Sequence, residues 1–592
     1  MRRRAARGDA AALAALAVAL AAVSALSWKR WGVPHFDGGY DPSVADVLSR
    51  GGELYTDVRY FYGPAGVYPL ALAFKLFGAS LTTAFVFGYA QTLAILGSFY
   101  ALARTWLEPL SAGLTTLVLL TIAFSGTFFD FVLPHTDSAT VGCLTLILQV
   151  LAVARGRLVL SGVAAGVLAL TRPEFALFAA VVAAGTVLGC GRAGGVRAAT
   201  RALGSVALPA LAVCLPVLGF FASRAGFDSL VFDQLVPLDF IEVSGNRLQG
   251  GWAPYDVSSL VSSAARAALF AVPLAAVVAC AVILRRKRGR AKLAALWPLV
   301  AALVGLSALA AAWQLLGVFP AARAEVTDEV ERLLIAMSWL PVVVVAVAAW
   351  VALRTWRGDA PPAVGWKADL ALAAGAAACV LRAYDRFSFD SYAPYYAPLP
   401  LLVAAIALGR VGERWPQAKL VPPAVLAAMA VALAAHAWVG LYRDDDATVH
   451  TERGSFSTDT ETAAGLRGTL KALETMSGPD QTALVVPDSP GLHFLSGRRP
   501  ALRDLTFLPG TLESAGDEQA AIRRLRSTRP PLVVVGAQRS DQYAAAEIGR
   551  DYNRLLLDYV RRHYRRVGQF GDVGRPTRNN LPARAFTVLE LR

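Results

Sequence analysis

Long apolar stretches separated by short polar ones fill the first three quarters of the chain. Many are about 20 residues long, which is the length of helix that crosses the hydrocarbon core of a membrane. The apolar segments lie at 10–28, 80–103, 110–129, 137–154, 158–171, 174–190, 202–222, 263–284, 293–318, 333–353, 368–382, 395–409 and 420–441. Their number predicts a polytopic α-helical membrane protein with about 13 transmembrane helices.

The pattern changes character after residue 442. Short strand-like runs alternate with helical periodicity, which is typical of a small α/β domain. The strand-like runs are Ala483–Val486, Leu532–Val535 and Phe586–Leu591, and the helical patterns cover 461–475, 515–527 and 543–565. The sequence thus predicts a transmembrane domain over 1–442 and an α/β domain over 443–592. No GxGxxG or P-loop motif follows any of the strand-like runs, so nothing indicates nucleotide binding.

The composition excludes several classes of protein. Of the 592 residues, 56% are hydrophobic and 17% are charged, which is more apolar than soluble domains. The five cysteines all fall in apolar segments and form no CxxC or Cys/His cluster, which argues against disulfide scaffolds and zinc sites. The net charge of +14 does not gather on one folded domain, so nucleic acid is not an expected partner.

The positive charge instead marks alternate loops. Four arginines, Arg2, Arg3, Arg4 and Arg7, precede the first apolar segment, which places the N-terminus in the cytoplasm by the positive-inside rule. Every second loop from there is rich in arginine or lysine: 155–157, 192–201, 285–292, 354–357 and 410–419. An odd number of crossings then places the α/β domain outside the cytoplasm. The first segment shows no clear cleavage site and is expected to be retained.

The first outer loop carries a carboxyl group, Asp37, a few residues beyond the first apolar segment. A partly shielded carboxylate has a raised pKa and can accept a proton during group transfer. The alternative is a structural acid that caps an interfacial helix or pairs with Lys29 or Arg30. The spacing of the residues alone leaves both interpretations open.

Polar residues also mark three later outer loops. Asp137 either lies at the mouth of an intramembrane cavity or caps the following helix, and His135 either contacts a phosphate or is an exposed loop residue. Arg172 suits a phosphate, with Glu174 holding it, but a structural ion pair explains the two residues equally well. Arg382 and Tyr392 add a cation and an aromatic ring, although interfacial aromatic residues often form only a membrane belt.

Taken in order, several short motifs resemble those of GT-C membrane glycosyltransferases. The motifs are Phe36-Asp37-Gly38-Gly39, Gly51-Gly52-Glu53-Leu54-Tyr55-Thr56-Asp57, Lys75-Leu76-Phe77-Gly78, Leu133-Pro134-His135-Thr136-Asp137, Leu170-Thr171-Arg172-Pro173-Glu174 and the tyrosine–proline stretch 392–400. They resemble in particular the bacterial relatives of protein O-mannosyltransferases and the lipid A aminoarabinose transferase. The resemblance covers most of residues 10–410 in layout and only these pieces in sequence.

The resemblance implies a transferase that takes a sugar from a polyprenyl-phosphate carrier at the outer face of the bacterial plasma (inner) membrane. Asp37 would be the general base, Asp137 a second acid near the reacting centre, and Arg172 a contact to the carrier phosphate. The aminoarabinose enzymes have a Lys-Pro-Pro-Leu turn where this chain reads Tyr62-Gly63-Pro64-Ala65, which leaves Arg59 as a substitute for the lysine. The residues for which substrate contacts are predicted are Arg172, Glu174, Arg59, Tyr62, His135, Arg382 and Tyr392.

The expected reaction inverts the anomeric centre, because one base and direct displacement are involved. No cofactor is expected, and no metal is required if Arg172 and its neighbours stabilise the leaving phosphate. The expected partners are the lipid-linked donor, a glycan, lipid or protein acceptor, and membrane lipids. The alternatives are a transporter or flippase of lipid-linked glycans and an assembly protein whose tail binds glycan. A transporter places ionisable residues in mid-span, whereas this chain places its acids in loops.

Overall fold

The computed structural model describes residues 2–126, 128–235, 340–357, 364–383, 392–414 and 419–592, apart from 542, 544 and 579. Within these residues a mostly helical bundle is followed by an α/β domain, as the apolar pattern predicts. The expected spans at 263–284 and 293–318 and the basic loop at 285–292 lie outside the described residues.

Helices coincide with every expected span in the described part of the bundle. They are α1 (Arg2–Ser27), α2 (Tyr40–Ser49), α3 (Pro64–Phe77), α4 (Leu81–Ala103), α5 (Pro109–Ala123), α6 (Asp137–Ala154), α7 (Leu158–Ala169), α8 (Pro173–Ala225), α9 (Leu340–Arg357), α10 (Trp366–Ala383), α11 (Ala393–Tyr396), α12 (Pro398–Arg414) and α13 (Val421–His436). A 3₁₀ turn at Asp37–Gly39 precedes α2, and π-helical turns occur at Ser229–Leu235 and Ala437–Tyr442.

Four of the described helices are long and apolar enough to cross a membrane: α1 from Ala6 onward, α4, α6 and α8. Shorter apolar helices of 10–17 residues stand beside them, among them α3, α5, α7 and α13. The chain is therefore a multi-pass membrane protein. The total of about 13 crossings stays a prediction.

Helix α8 contains both of the spans that the sequence places at 174–190 and 202–222. The helix is interrupted at Gly194 and Gly195, where the backbone leaves helical geometry. Gly195 has a φ of 70°, a backbone angle that residues other than glycine rarely adopt. Arg192, Arg197 and Arg201 surround this interruption. The two expected spans are therefore two helical parts that meet at a kink, and the expected basic connection lies at this kink.

The connections that carry the expected site residues lie together at one end of the bundle. The segment after α1 meets the segment before α6, since the side chains of Asp37 and His135 approach each other. The segment before α11 reaches the same place through a hydrogen bond between Tyr392 and His135. The turn before α8 joins them, because the Thr171 carbonyl accepts a hydrogen bond from the Gly63 amide. Asp37, His135 and Arg172 thus lie at the same end of the bundle.

The C-terminal domain begins with a hairpin and continues as a five-stranded mixed sheet. Its elements are β1 (Ala447–Thr451), β2 (Gly454–Thr458), α14 (Thr460–Met476), β3 (Thr482–Val486), α15 (Gly491–Ser496), β4 (Arg499–Pro500), α16 (Ala515–Thr528), β5 (Leu532–Gly536), α17 (Arg554–His563), β6 (Tyr564–Phe570) and β7 (Phe586–Leu591). The strand order is β4-β3-β5-β7-β6, with β3 parallel to β4 and β5, and with β7 antiparallel to β5 and β6.

One predicted helix of this domain is too long. The periodicity predicts a helix over 543–565, but α17 covers only Arg554–His563 and the chain then enters β6. The cause is non-local, because β6 pairs with β7 and Tyr564 lies opposite Leu591. A local pattern carries no information about such a partner. The three predicted strand cores and the helices at 461–475 and 515–527 are confirmed.

The C-terminal domain packs directly on the segment that follows α1. The Ser457 amide donates to the Lys29 carbonyl at 2.8 Å, and the Leu81 amide donates to the Arg453 carbonyl at 2.7 Å. The buried His35 ring bonds the Ala583 carbonyl at 3.2 Å. This contact holds the segment with Asp37 between the bundle and the sheet.

Candidate active site at one end of the helix bundle

Asp37 opens the 3₁₀ turn that leads into α2, and 23% of its side chain is exposed. Burial raises the pKa of Asp37 to about 7. Its Oδ1 atom lies 3.9 Å from Nδ1 of His135. The alternative partners point elsewhere, because Lys29 donates to Ser455 and Arg30 donates to the Leu26 carbonyl. Asp37 is thus a shielded carboxyl group that keeps access to the surface.

His135 connects Asp37 with the aromatic residues of the site. Its Nε2 atom is 2.5 Å from the Tyr392 hydroxyl, and the two rings stack with centroids 5.1 Å apart. Burial, followed by the charge of Arg172, lowers the pKa of His135 to about 3, so the ring is neutral. When the Tyr392 hydroxyl donates to Nε2, the ring proton resides on Nδ1, which faces Asp37. Only 16% of the His135 side chain is exposed and its ring stacks on Tyr392, which disagrees with the interpretation as an exposed loop residue.

Arg172 lies between two tyrosine rings. Its guanidinium carbon is 4.0 Å from the ring centre of Tyr392 and 4.7 Å from that of Tyr62, and only 7% of the residue is exposed. Its Nε atom is 2.7 Å from Oε1 of Glu174, yet Nη1 has no hydrogen-bond partner. A buried guanidinium with an unused donor is costly unless a ligand covers it. The geometry therefore suits an anion at Nη1 as well as the structural ion pair.

Glu174 completes the surroundings of Arg172. Tyr396 donates its hydroxyl to Glu174 Oε1 at 2.7 Å, which fixes the carboxylate from the side of α11. Arg382, in the last turn of α10, acts electrostatically on both Glu174 and Tyr396. The expected substrate contacts Arg172, Glu174, Arg382 and Tyr392 thus belong to one group.

Asp137 belongs to a second group of carboxyl groups, in which its backbone amide donates to Asp41. It is the first residue of α6, and Gln91 Nε2 lies 3.4 Å from its Oδ1. The helix cap is Thr136 and not Asp137, because the Thr136 hydroxyl accepts from the Ser138 amide. Asp137 is instead a buried residue of the first helical turn, so the expectation that it caps α6 is wrong.

Asp41 is a buried acid that sequence reasoning did not single out. Its Oδ2 accepts hydrogen bonds from the Asp137 amide at 2.6 Å and from the hydroxyls of Tyr60 and Thr136, each at 3.1 Å. Its Oδ1 is buried without a hydrogen-bond partner, and burial raises the pKa of Asp41 to about 7. Its position four residues after Asp37, on the same face of the turn into α2, was the available signal.

Arg59 lies at the contact with the C-terminal domain. Its Nη1 donates to Asp504 at 3.2 Å and to the Thr511 carbonyl at 2.9 Å. The structure therefore gives Arg59 an interdomain ion pair, while Tyr62 lies against Arg172. A role of Arg59 at a phosphate stays a prediction.

Asp488 belongs to the C-terminal domain, where it lies two residues after the end of β3. It is 2% exposed, its Oδ2 accepts from Asn580 Nδ2 at 3.1 Å, and its Oδ1 has no hydrogen-bond partner. Burial and then the charge of Asp37 raise the pKa of Asp488 to about 8. A signal for it existed in the sequence, since Val486-Pro487-Asp488 ends a parallel strand and such ends carry functional side chains.

Among the described residues, no three His, Cys, Asp or Glu side chains gather in a way that would hold a metal ion. The groups found here are a shielded carboxyl group at Asp37, the pair Asp41 and Asp137, a neutral imidazole and a guanidinium between aromatic rings. Such a set can accept a proton on a carboxylate and can bind an anion through the guanidinium.

No protein-family model matches the chain, and no curated protein matches it in sequence. Solved structures do resemble it. The oligosaccharyltransferase of Archaeoglobus fulgidus, tethered with an acceptor peptide, has a TM-score of 0.48 and 14% identity, over 95% of this chain and 73% of that one. ArnT from Cupriavidus metallidurans, bound to undecaprenyl phosphate, has a TM-score of 0.45 and 15% identity, over 97% and 96%. Both are GT-C glycosyltransferases, the class that the sequence motifs resemble.

Proposed function

We propose that this protein is an inverting glycosyltransferase that moves a sugar from a polyprenyl-phosphate carrier to an envelope glycan, lipid or protein. One observation carries the proposal: a shielded carboxyl group, Asp37, and a buried guanidinium with a free donor, Arg172, meet through His135 and Tyr392. A base for a hydroxyl and a site for a phosphate are the two features that this reaction needs. The motif resemblance to GT-C enzymes supports the same function.

The chemistry follows from the charges of these groups. The Asp37 carboxylate accepts the proton of the acceptor hydroxyl, whose oxygen then forms a bond to the anomeric carbon. The bond from that carbon to the phosphate oxygen breaks, and its electron pair leaves with the polyprenyl phosphate. Arg172 stabilises the phosphate as its charge develops, which is the type of electrostatic stabilisation that lowers such barriers most. One direct displacement inverts the anomeric centre.

The proposed compartment is the outer face of the bacterial plasma membrane. The arginines in the first two turns of α1 lie at the end of that helix opposite to Asp37, and Arg155 and Arg157 lie at the end of α6 opposite to Asp137. By the positive-inside rule these ends face the cytoplasm. The site and the C-terminal domain then face outward, where lipid-linked donors are consumed.

The placement of charges favours this enzyme over a transporter. Among the described helices, α4, α5, α6 and α7 carry no charged residue between their first and last residues. A transporter of an anionic glycan would need ionisable groups or broken helices near the membrane midplane. The ionisable groups here are at the helix ends.

Deletion of the gene is expected to cause accumulation of one lipid-linked monosaccharide and loss of that sugar from an envelope component. The lipids and glycans are measured by mass spectrometry of envelope extracts, with the wild-type gene restored as the control. The accumulated lipid is then offered to the purified protein together with envelope acceptors. A deletion strain whose lipid-linked sugars and envelope glycans match the wild type would argue against the transferase.

Tyr392→Phe is expected to lower kcat about tenfold, with a loss of thermal stability no larger than a single hydrogen bond causes. The variant loses the hydrogen bond that fixes the His135 ring but keeps the ring face against Arg172, and a single hydrogen bond contributes about 0.5–1.5 kcal/mol. Steady-state kinetics and thermal unfolding of the purified protein measure the two effects.

The matched control for this variant is Tyr395→Phe. Tyr395 is also buried and stacks on Phe131, but its hydroxyl donates to the Asp130 carbonyl at 3.0 Å and not to His135. This control is expected to lose stability and to keep kcat. Equal losses of kcat in both variants would assign Tyr392 to packing alone.

A further inference from the structure

We propose that Asp488 of the C-terminal domain is a positioning residue of the same site, whose neutral carboxyl group stands opposite Asp37 and limits the pair to one negative charge. This inference rests on the proposed function. It also assigns the C-terminal domain a part in the chemistry, beyond a role in binding an acceptor.

Two glycines bring the Asp488 segment against the Asp37 segment. Gly39, at the end of the 3₁₀ turn, and Gly491, at the start of α15, cross with their backbones in contact, and both lie against the Pro34 carbonyl. A Cβ atom on either glycine would collide with backbone atoms of the other segment. The Ser43 hydroxyl adds a hydrogen bond of 2.8 Å to the Pro490 carbonyl. The two segments are thus packed together at Gly39 and Gly491, which lie two residues after Asp37 and three residues after Asp488.

The surroundings of Asp488 favour its neutral form. The carboxyl group is buried, its Oδ2 accepts from Asn580, and its Oδ1 has no hydrogen-bond partner. No cation is among the groups that act on its charge: burial and the negative charge of Asp37 raise its pKa, and only the Asn580 hydrogen bond opposes them. A buried carboxyl group without a cationic partner retains its proton, and two adjacent carboxyl groups resist a double negative charge.

One further group near the pair titrates close to neutral pH, namely Asp41, whose pKa burial raises to about 7. The pKa of His135 is lowered to about 3 by burial and then by Arg172, so this ring stays neutral. Burial raises the pKa values of Tyr40, Tyr392 and Tyr552, the tyrosines on which Asp37 or Asp488 acts. The loss of a proton above pH about 8 is therefore assigned to Asp488, whereas Asp37 and Asp41 both titrate through pH about 7.

The catalytic cycle can be written with this pair. At the start it holds one proton on Asp488 and a negative charge on Asp37. After the acceptor hydroxyl gives its proton to Asp37, the pair holds two protons, and the release of one proton to water restores the starting state. Loss of the Asp488 proton at high pH instead adds a second negative charge close to an anionic donor, which weakens donor binding.

The test is the pH profile of kcat/KM with a lipid-linked sugar donor. In the wild type the profile is expected to rise through pH about 7, as Asp37 ionises, and to fall above about 8, to about a tenth of its maximum at pH 9. Asp488→Asn keeps a neutral side chain at every pH, so its profile is expected to retain the rise and to lose the fall. Asp480→Asn, an exposed acid of the same domain, is the control and should keep both limbs.

A merely structural role of Asp488 would scale the profile down without moving either limb, and this result would overturn the proposal. Asp488→Ser provides a second variant without the carboxyl group should the asparagine variant fold poorly.

Gly491→Ala should separate the two segments and lower kcat at least tenfold. Gly478→Ala is its control, because the nearest atom to a new Cβ is 3.7 Å away on the Gln481 side chain.

Infrared titration of the purified protein measures the protonation of Asp37 and Asp488 in the absence of any sugar substrate. In the wild type the buried carboxylic acid bands should disappear as the pH rises to 9, and Asp488→Asn should lack the component that disappears at about pH 8. In Asp37→Asn the band of Asp488 should titrate at a lower pH, because the neighbouring charge is gone. An unmoved band would overturn the pairing. If the two carboxyl groups titrate as a pair but neither the wild type nor any variant transfers sugar, the proposed function is refuted while the pairing stands.

Discussion

Asp37→Asn is expected to abolish sugar transfer, with a loss of kcat of about 10²- to 10⁴-fold, the range of general-base catalysis. The asparagine side chain fills the same space but accepts no proton at neutral pH. Because burial raises the pKa of Asp37 to about 7, wild-type activity should increase with pH through this value as the carboxylate forms. Turnover of a labelled polyprenyl-phosphate sugar by the purified protein, measured from pH 5 to 8, tests both statements.

The variant should still fold and still bind its donor, which separates a chemical defect from a structural one. Asp57→Asn is the matched control, since Asp57 belongs to the same loop, is exposed, and only accepts a hydrogen bond from the Glu53 amide at 2.8 Å. The control should keep wild-type turnover. Unchanged turnover by Asp37→Asn itself would remove Asp37 from the role of base and would leave the site without its main proton acceptor.

The sequence could predict the bundle because membrane helices satisfy their own backbone and have to be apolar over a fixed length. This constraint is local, so the limits of α4, α6 and α7 agree with the apolar pattern within a few residues. Asp37, His135 and Arg172 could be predicted as candidate site residues for a related reason. Polar residues that interrupt an apolar region are few, and they lie at helix ends where side chains can converge.

The contributions of the C-terminal domain could not be predicted in the same way. The segment with Asp488 packs on the segment with Asp37 because Gly491 crosses Gly39, a contact between segments about 450 residues apart in sequence. No local periodicity encodes such a contact. The ion pair of Arg59 could not be predicted for the same reason, because its partner Asp504 lies in a loop of the other domain.

Removal of the Arg172 side chain is expected to raise the KM for the lipid-linked donor by about 30- to 1,000-fold, as loss of a charge-assisted contact of about 2–4 kcal/mol predicts. Arg172 has a buried Nη1 with no hydrogen-bond partner, between Tyr62 and Tyr392. A phosphate oxygen would supply the missing acceptor. Arg172→Ala alone also leaves Glu174 without its cation, so Arg172→Ala/Glu174→Gln is the variant to compare, with kinetics and thermal unfolding measured together.

The ion-pair interpretation makes a different prediction for the same double variant. If Arg172 only neutralises Glu174, removing both charges restores stability and leaves the KM unchanged, because a buried pair can be replaced with little net cost. If Arg172 binds phosphate, the double variant keeps its stability and still loses donor affinity, and polyprenyl phosphate raises the unfolding temperature of the wild type only. Arg224→Ala, which breaks an exposed ion pair with Glu53, should change neither quantity. An unchanged KM in a well-folded double variant would therefore separate Arg172 from the phosphate and reduce it to a structural residue.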